Sequence, residues 1–264
     1  MPLSPALPTR RPGIFSRIVA TGAAAGIVAG LLLTGVQHLQ VTDIIRTAET
    51  YEVAAEATPA PAHTHEHAQG HEQAHEHEHA DAHEHGEHKH GGWQPEPGFE
   101  RTAFTALADV SMAVGYALLL AAVLTLRGKD SNWRQGLLWG AAGYAVFFVA
   151  PSLGLPPELP GTQAAPVVSR QAWWLCAAGG TAAALALLIW GRHWSRKLLA
   201  VVLLVVPHLV GAPQPAVHGG VAPAELARAF IVASALANAA FWLALGALTG
   251  HFHHRFNRSN QGMR

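Results

Sequence analysis

The chain has 264 residues, of which 50% are hydrophobic and only 13% are charged, and its formal net charge is zero. About a quarter of the residues of a soluble domain are charged, so this composition excludes an ordinary soluble domain and indicates a polytopic membrane protein. A neutral chain gives no indication of a nucleic-acid partner. The single cysteine, Cys176, excludes an intrachain disulfide and a thiolate metal cluster.

The first apolar segment, Ile18–Leu39, follows a short basic stretch and is longer than the core of a signal peptide, which spans about 7–15 residues. No small-residue cleavage site follows a short apolar core, so we interpret the segment as a retained transmembrane helix. It continues into VTDIIRTAETYE, where apolar residues recur at helical spacing. This spacing predicts an outward extension of the helix.

Glycine recurs at every fourth position of this first helix, in the segment TGAAAGIVAG. Gly22, Gly26 and Gly30 form two GxxxG steps, a pattern that lets two helix backbones approach closely. The sequence leaves open whether the partner helix belongs to the same chain or to a second copy.

A histidine-rich tract, HTHEHAQGHEQAHEHEHADAHEHGEHKH, follows the first helix. It has no apolar periodicity and is flanked by Ala-, Pro- and Gly-containing segments, so we expect a disordered loop. Neutral imidazole is a common ligand of Co, Ni, Cu and Zn, which predicts a metal collector; the alternative is a solvated spacer. The predicted ligands are the eleven histidines His63, His65, His67, His71, His75, His77, His79, His83, His85, His88 and His90.

Five further apolar segments complete the predicted membrane domain: Ala103–Leu126, Gly136–Leu153, Ala172–Trp190, Leu198–Gly211 and Leu226–Thr249. Four of them are long enough to cross a bilayer. Leu198–Gly211 is shorter and contains Pro207, so it is either a short crossing or a re-entrant segment. The sequence therefore predicts an all-α bundle of six transmembrane helices, with five as the alternative.

The basic residues favour six crossings with both termini in the cytoplasm. In that arrangement twelve of the 17 Lys and Arg residues lie on cytoplasmic segments and five lie outside, as the positive-inside rule requires. The predicted organisation is a cytoplasmic tail (1–16), a first helix with its extension (17–56), a disordered outer loop (57–98), the bundle (99–256) and a second cytoplasmic tail (257–264). The membrane is the bacterial inner membrane, and the histidine-rich loop is periplasmic or extracellular.

Seven more imidazoles and carboxylates fall on the outer side and are candidate ligands for a divalent cation: His38, Glu49, Asp109, Glu158, His208, His218 and Glu225. Ionisable groups at membrane depth are costly and indicate function, so Asp109 and His208 are the strongest of these candidates. A wetted helix end is the alternative for the others. On the inner side, His193, His251, His253 and His254 lie among arginines, where we expect contacts with lipid headgroups rather than an exit site.

Several segments in combination are similar to the CbtA family of cobalt transporter subunits: GVQHLQVTDIIRTAETYE, FFVAPSLGLPPELPGT, PHLVGAP and PAELARAFIVASALANAAFWLALGAL. The resemblance runs from about Arg17 to Phe256. It implies cobalt uptake linked to cobalamin synthesis, about five spans, and a small single-span second subunit, CbtB, with its own histidines. No GxxxxGK[ST], HExxH or GxSxG motif is present, so no enzyme is predicted.

Two functions are compatible with these observations. The first is the membrane subunit of a cobalt uptake transporter, with nickel or zinc as alternative ions, whose outer loop collects the metal. The second is a membrane metal-binding or sensing protein that translocates nothing. A transporter needs a polar path through the whole bilayer, and the inner half of the predicted bundle contains few polar side chains.

Overall fold

A computed structural model describes residues 13–57, 95–128, 131–217 and 219–261. All regular secondary structure within these ranges is helical, which confirms the predicted all-α class. The helices are α1 (Ile14–Gln40), α2 (Thr42–Glu56), α3 (Phe99–Leu126), α4 (Trp133–Tyr144), α5 (Ala150–Ser152), α6 (Val167–Trp190), α7 (Trp194–Val210) and α8 (Ala224–Gln261), with a π-helical segment (Ala145–Val149) between α4 and α5.

Four helices are long and apolar enough to cross a membrane: α1, α3, α6 and the part of α8 from Ala224 to Arg258. The predicted crossing at Gly136–Leu153 corresponds to α4, the π segment and α5, which follow one another without a gap. The predicted crossing at Leu198–Gly211 corresponds to α7, which has 17 residues, fewer than the roughly 20 needed to span a bilayer. These two crossings, and hence the count of six, stay predictions.

The predicted extension of the first helix is a separate helix. Val41 ends α1 and precedes α2, and its buried side chain packs into the core. The Thr42 hydroxyl donates to the Gln37 carbonyl oxygen at 3.2 Å, and the Val41 N–H donates to the same oxygen at 2.8 Å. This break allows α2 to leave the axis of α1 and to pack on α8.

The glycines of α1 form a packing seam against α3 within the same chain. Gly22, Gly26 and Gly30 face Leu118, Val114 and Val110 in turn, so the two helices run antiparallel. A methyl group at Gly26 would collide with the backbone of Val114. The sequence left open whether this glycine face packs on the same chain or on a second copy. Its partner is α3 of the same chain.

A second glycine seam joins α4 to α8. Gly136 and Gly140 of α4 lie against Gly246 and Trp242 of α8, and a Cβ atom at either α4 position would overlap a carbonyl oxygen of α8. Because α8 also packs along α1, it lies at the centre of the bundle. Its buried aromatic and aliphatic side chains build the core with the small residues of α1 and α3: Ala25, Ala29, Ala113, Ala117, Phe241, Trp242 and Leu245.

Proline shapes the remaining helices. Pro151 lacks the N–H that would bond to the carbonyl of Phe147, and the helix widens into the π segment at this point. Pro207 leaves the carbonyl of Leu203 without its helical donor, and that oxygen lies against Gly180 of α6. The Trp173 indole N–H donates to the carbonyl oxygen of Pro207 at 3.0 Å. These contacts attach α7 to α6.

The two ends of the bundle carry different charges. The end at which α1 begins, which we call the basic end, carries Arg17, Arg127, Arg134, Arg192, Arg196, Lys197, Arg255 and Arg258, and no carboxylate side chain among the residues that the structure describes. The opposite end, the acidic end, carries Asp43, Glu49, Glu52, Glu96, Glu100, Asp109, Glu158 and Glu225 beside four arginines. The bundle is therefore electrically polarised along its axis.

The α1–α3 seam makes a prediction about stability. We expect Gly26→Ala to lower the melting temperature of the purified protein, because overpacking a close backbone contact costs about 1–3 kcal/mol. Gly35→Ala is the matched control, since a Cβ atom at Gly35 would meet open space on the same helix. The measurement is thermal unfolding in detergent. Equal melting temperatures for the two variants would contradict the close packing of α1 on α3 at Gly26.

Candidate functional site

A cavity of about 280 Å³ opens at the acidic end between α1, α2, α3 and α8. We call it the acidic-end cavity. Its polar lining comes from all four helices and includes Thr34, Gln37, His38, Thr42, Arg46, Arg101 and Asn238. The break at Val41 creates it, because α2 turns across the end of the bundle instead of extending α1.

Asp109 lies next to this cavity inside the α1–α3 seam and is only 8% exposed. The Thr34 hydroxyl, which lines the cavity, donates to Oδ2 of Asp109 at 2.8 Å and also lies 3.1 Å from the Gly30 carbonyl oxygen. A buried carboxyl at membrane depth is costly and is retained for a function in most membrane proteins. Asp109 therefore remains the strongest of the predicted bundle ligands, with Thr34 between it and the cavity.

Glu49 of α2 is held by Arg101 of α3. The guanidinium donates from Nη1 and Nη2 to the two carboxylate oxygens. These hydrogen bonds lower the pKa of the Glu49 carboxyl below its ordinary value. The pair fastens α2 to α3 at the rim of the cavity, so the Glu49 carboxylate is already occupied by a cation of the protein itself.

The other predicted ligands lie apart from one another. Glu158 accepts a hydrogen bond from Arg170 at 2.7 Å, and His208 packs edge-on against Trp173 with the ring centroids 5.7 Å apart. His38 and Glu225 are exposed. Because α7 packs on α6 whereas α3 packs on α1 and α8, the bundle does not bring His208 to Asp109.

A metal centre of several protein ligands is absent from the residues that the structure describes, since no three His, Cys, Asp or Glu side chains gather there. The eleven predicted ligands of the tract, from His63 to His90, lie outside the described residues, and so does His218. The predicted metal sites are therefore neither confirmed nor contradicted, and each remains a prediction.

A second cavity, of about 220 Å³, lies at the basic end between α1, α3 and α8. We call it the basic-end cavity. Its polar lining consists of Arg17, Thr21, Thr125, His253 and Asn257. His253 is only 7% exposed, so it faces the interior of the bundle and not the outer surface of the helices among the arginines, where we expected it. The side chain points into the bundle because α8 continues as a helix well beyond its apolar segment.

A directional chain of hydrogen bonds crosses the basic-end cavity. Nη1 of Arg17 donates to Oδ1 of Asn257 at 2.9 Å, which leaves the Asn257 amide nitrogen to donate to Nδ1 of His253 at 3.4 Å. Thr125 donates its hydroxyl hydrogen to the Ala121 carbonyl oxygen at 2.7 Å, so it accepts from Nε2 of His253 at 3.4 Å. This pattern fits a neutral imidazole with its hydrogen on Nε2.

The sequence contained a signal for this cluster that hydropathy does not detect. Arg17 and Thr21 are four residues apart on α1, and His253 and Asn257 are four residues apart on α8. Residues at that spacing share one face of a helix. Two polar pairs at helix ends on the same side of the membrane are therefore candidates for a common cluster.

The interface where α1, α3 and α8 meet, which we call the α1–α3–α8 seam, is thus polar at both ends. Small apolar residues close it in the middle. Four apolar membrane-length helices and a polar cavity at each end of one seam define a polytopic helical membrane protein. The chain belongs to the CbtA family, described as probable cobalt transporter subunits, whose family model matches residues 15–254. No curated protein and no solved structure matches the chain.

Membership of this family bears on several predictions at once. It confirms the resemblance and the membrane and cobalt-transport classes. A transporter subunit works in a membrane with at least one partner, and the description favours a role other than catalysis. The identity of that partner, the orientation of the chain and the histidine-rich collector remain predictions.

The Glu49–Arg101 pair predicts a pH-dependent contribution to stability. Because the folded-state pKa of Glu49 lies below its unfolded value of about 4.3, the contribution is complete above that value and is lost as pH falls through the folded-state pKa. We therefore expect the difference in melting temperature between wild type and Glu49→Gln to be constant from pH 7 to about pH 5.5 and to shrink in more acidic buffer.

Glu225→Gln is the control, since Glu225 is an exposed carboxylate at the same end of the bundle. Melting curves across this pH range should show no such pH-dependent difference for the control. A Glu49→Gln difference that grows on acidification would refute the assignment.

Proposed function

We propose that the chain is the membrane subunit through which a divalent cation, cobalt in the first instance, is taken up. The observation that carries this proposal is the α1–α3–α8 seam, with a polar cavity at each end and a buried carboxyl, Asp109, beside the acidic-end cavity. The family description supports cobalt as the ion; nickel and zinc are alternatives, because the order of divalent affinities is a general property of nitrogen and oxygen ligands.

The proposed orientation has the basic end in the cytoplasm and the acidic end outside. Its support is the separation of charge between the ends of the bundle, which matches the positive-inside rule. Six crossings, made by α1, α3, the run from α4 to α5, α6, α7 and α8, bring both termini to the cytoplasm. The shorter α7 crosses if the bilayer thins locally or its flanking lysine snorkels.

The histidine-rich tract is the proposed collector of the ion. It connects α2 to α3, and both attachment points lie at the acidic end beside the cavity. A loop tethered at both ends to the rim keeps its ligands at a high effective concentration there. Metal held by the tract can therefore transfer to the cavity without diffusing away.

From the tract the ion passes to His38 and Gln37 at the cavity and then to Thr34 and Asp109. The carboxylate of Asp109 neutralises the arriving charge. Glu158, His208, His218, Glu225 and Glu49 are proposed as transient outer ligands. Glu49 and Glu158 must first release their arginines.

The proposed partner is a small single-span subunit with histidines of its own, similar to CbtB. The seam is closed by apolar residues at its middle, so an ion crosses only when α1, α3 and α8 move apart. A subunit that binds this bundle is a suitable source of that movement. Energy coupling is then a property of the assembled pair.

Uptake of radioactive cobalt tests the transport role. In cells that lack other cobalt and nickel importers and that express both subunits, we expect deletion of residues 63–90 to raise the half-saturating cobalt concentration but to leave the maximal rate unchanged. We expect Asp109→Asn to lower the maximal rate by about tenfold or more, equivalent to about 1.4 kcal/mol. Asp43→Asn, at an exposed carboxylate of α2, is the control with wild-type rates.

His208→Ala distinguishes two routes in the same assay. If it lowers the maximal rate and Asp109→Asn does not, the ion follows α6 and α7 instead of the seam. Equal uptake with and without the chain, the second subunit being present in both, would remove the transport role and leave metal binding or sensing.

Cysteine labelling tests the orientation. In a Cys176→Ala background, we expect an impermeant maleimide to label Thr47→Cys in intact cells. Thr47 lies on α2 at the acidic end, which faces outwards in the proposed orientation. Ser195→Cys, at the basic end, should react only after the membrane is permeabilised. The reverse pattern would turn the collector towards the cytoplasm and make export or buffering the better account.

A further inference from the structure

The basic-end cavity lies at the opposite end of the seam from the proposed ligands of the ion, and hydrogen-bond donors line it. We infer that it binds a phosphate-class anion, either the phosphodiester of a membrane lipid or free inorganic phosphate. The inference rests on the donors that line the cavity, on one buried donor that has no partner within the described part of the chain, and on the charge of this end of the bundle.

Arg17 provides the central observation. Its Nη1 is engaged by Asn257 at 2.9 Å, whereas its Nε is buried and has no hydrogen-bond partner among the residues that the structure describes. Buried donors in native proteins are nearly always paired, and an exception indicates a ligand or water that completes the site. A guanidinium donates through Nε and its neighbouring Nη in a planar fork, which matches the geometry of phosphate oxygens.

The hydrogen-bond chain through Asn257 and His253 keeps Arg17 in place. Its members direct their hydrogens along the chain as far as the Ala121 carbonyl oxygen. The guanidinium is thereby ordered before a ligand binds, so less side-chain entropy is lost on binding. The hydroxyl of Thr21, one turn further along α1, lines the same cavity and supplies a further donor.

The electrostatic surroundings favour an anion. The described residues place no carboxylate at this end, whereas Arg127, Arg255 and Arg258 lie there with Arg17. The N-terminus of α1, at Ile14, adds the positive end of a helix dipole, which the carbonyl end of α3 on the opposite wall partly offsets.

The shape of the cavity accommodates either source of phosphate. Its volume of about 220 Å³ holds a tetrahedral phosphate group, and Ile14 and Leu124 add an apolar wall. Basic pockets between transmembrane helices are known sites for acidic lipid headgroups. An acyl-bearing phosphodiester would use the apolar wall, whereas inorganic phosphate would use only the donors.

The test measures binding without transport, so its result is independent of the uptake assay. The purified full-length chain in neutral detergent is titrated with inorganic phosphate against chloride at constant ionic strength, and its thermal unfolding is followed by tryptophan fluorescence. In parallel, it is reconstituted in nanodiscs of phosphatidylcholine alone or with phosphatidylglycerol. We expect stabilisation by phosphate, by phosphatidylglycerol, or by both, and the pattern identifies the source.

Variants assign the effect to the cavity. Arg17→Gln should weaken the apparent affinity by about tenfold or more, as expected for the loss of charge-assisted hydrogen bonds. Arg192→Gln, an exposed arginine at the same end, should retain wild-type binding. If Arg17→Gln does not fold, Thr21→Val removes one donor at nearly constant volume and should still weaken binding.

Two results would overturn the inference. One is the absence of any stabilisation of the wild type by phosphate or by phosphatidylglycerol. The other is stabilisation that Arg17→Gln and Arg192→Gln reduce equally, since this would assign it to general screening of the basic end.

Discussion

Backbone-to-backbone packing at glycine is the constraint on which the rest of the structure depends. In lipid there is little hydrophobic driving force for apolar side chains to move from the acyl chains onto another helix. Helices therefore associate through close van der Waals contact. Gly26 against Val114 and Gly136 against Gly246 provide that contact in two seams. The seams fix α1 on α3 and α4 on α8, and α8 is held between α1 and α4. The same closeness leaves no room for a cavity in the middle of the bundle. The two polar cavities between these helices lie where α2 crosses one end and where α1, α3 and α8 finish at the other.

The charges divide along the same axis as the cavities. Carboxylates gather at the acidic end, and two of them, Glu49 and Glu158, are neutralised locally by arginines that fasten α2 and the loop before α6. Asp109 differs because the described contact of its carboxyl is with a neutral hydroxyl. At the basic end the described side chains include no carboxylate, and Arg17 is held by a neutral amide. A cation and an anion therefore find their favourable surroundings at opposite ends of one seam.

Hydropathy predicted the helices well but not their partners. The ends of α3 and α6, at Leu126 and Trp190, match the sequence because glycine and charge follow them. The starts were predicted too late, since polar first turns such as FERT carry no apolar signal, and α8 runs on to Gln261 for the same reason. Asp109 and His208 were the strongest candidate ligands because both are ionisable groups at membrane depth. The depth of a residue along a helix does not determine which neighbouring helix its side chain faces. The helices α3 and α7, which carry these two residues, pack on different neighbours. His253 shows the same limit, because a basic flank can also be the continuation of a packed helix.

Conduction, the role proposed for the bundle, requires that the ion bind weakly along its path. No three imidazoles, thiols or carboxylates meet among the described residues, so tight capture by the bundle itself has no structural basis there. A permeating ion must bind well enough to enter and weakly enough to leave, and a deep multi-ligand site on the path would trap it. Dividing the work resolves this conflict. In the proposed function, capture belongs to the imidazoles of the tract, while the seam supplies one carboxyl and several neutral oxygens. A strong ligand added beside Asp109 would then raise the affinity of the bundle and slow the passage of the ion.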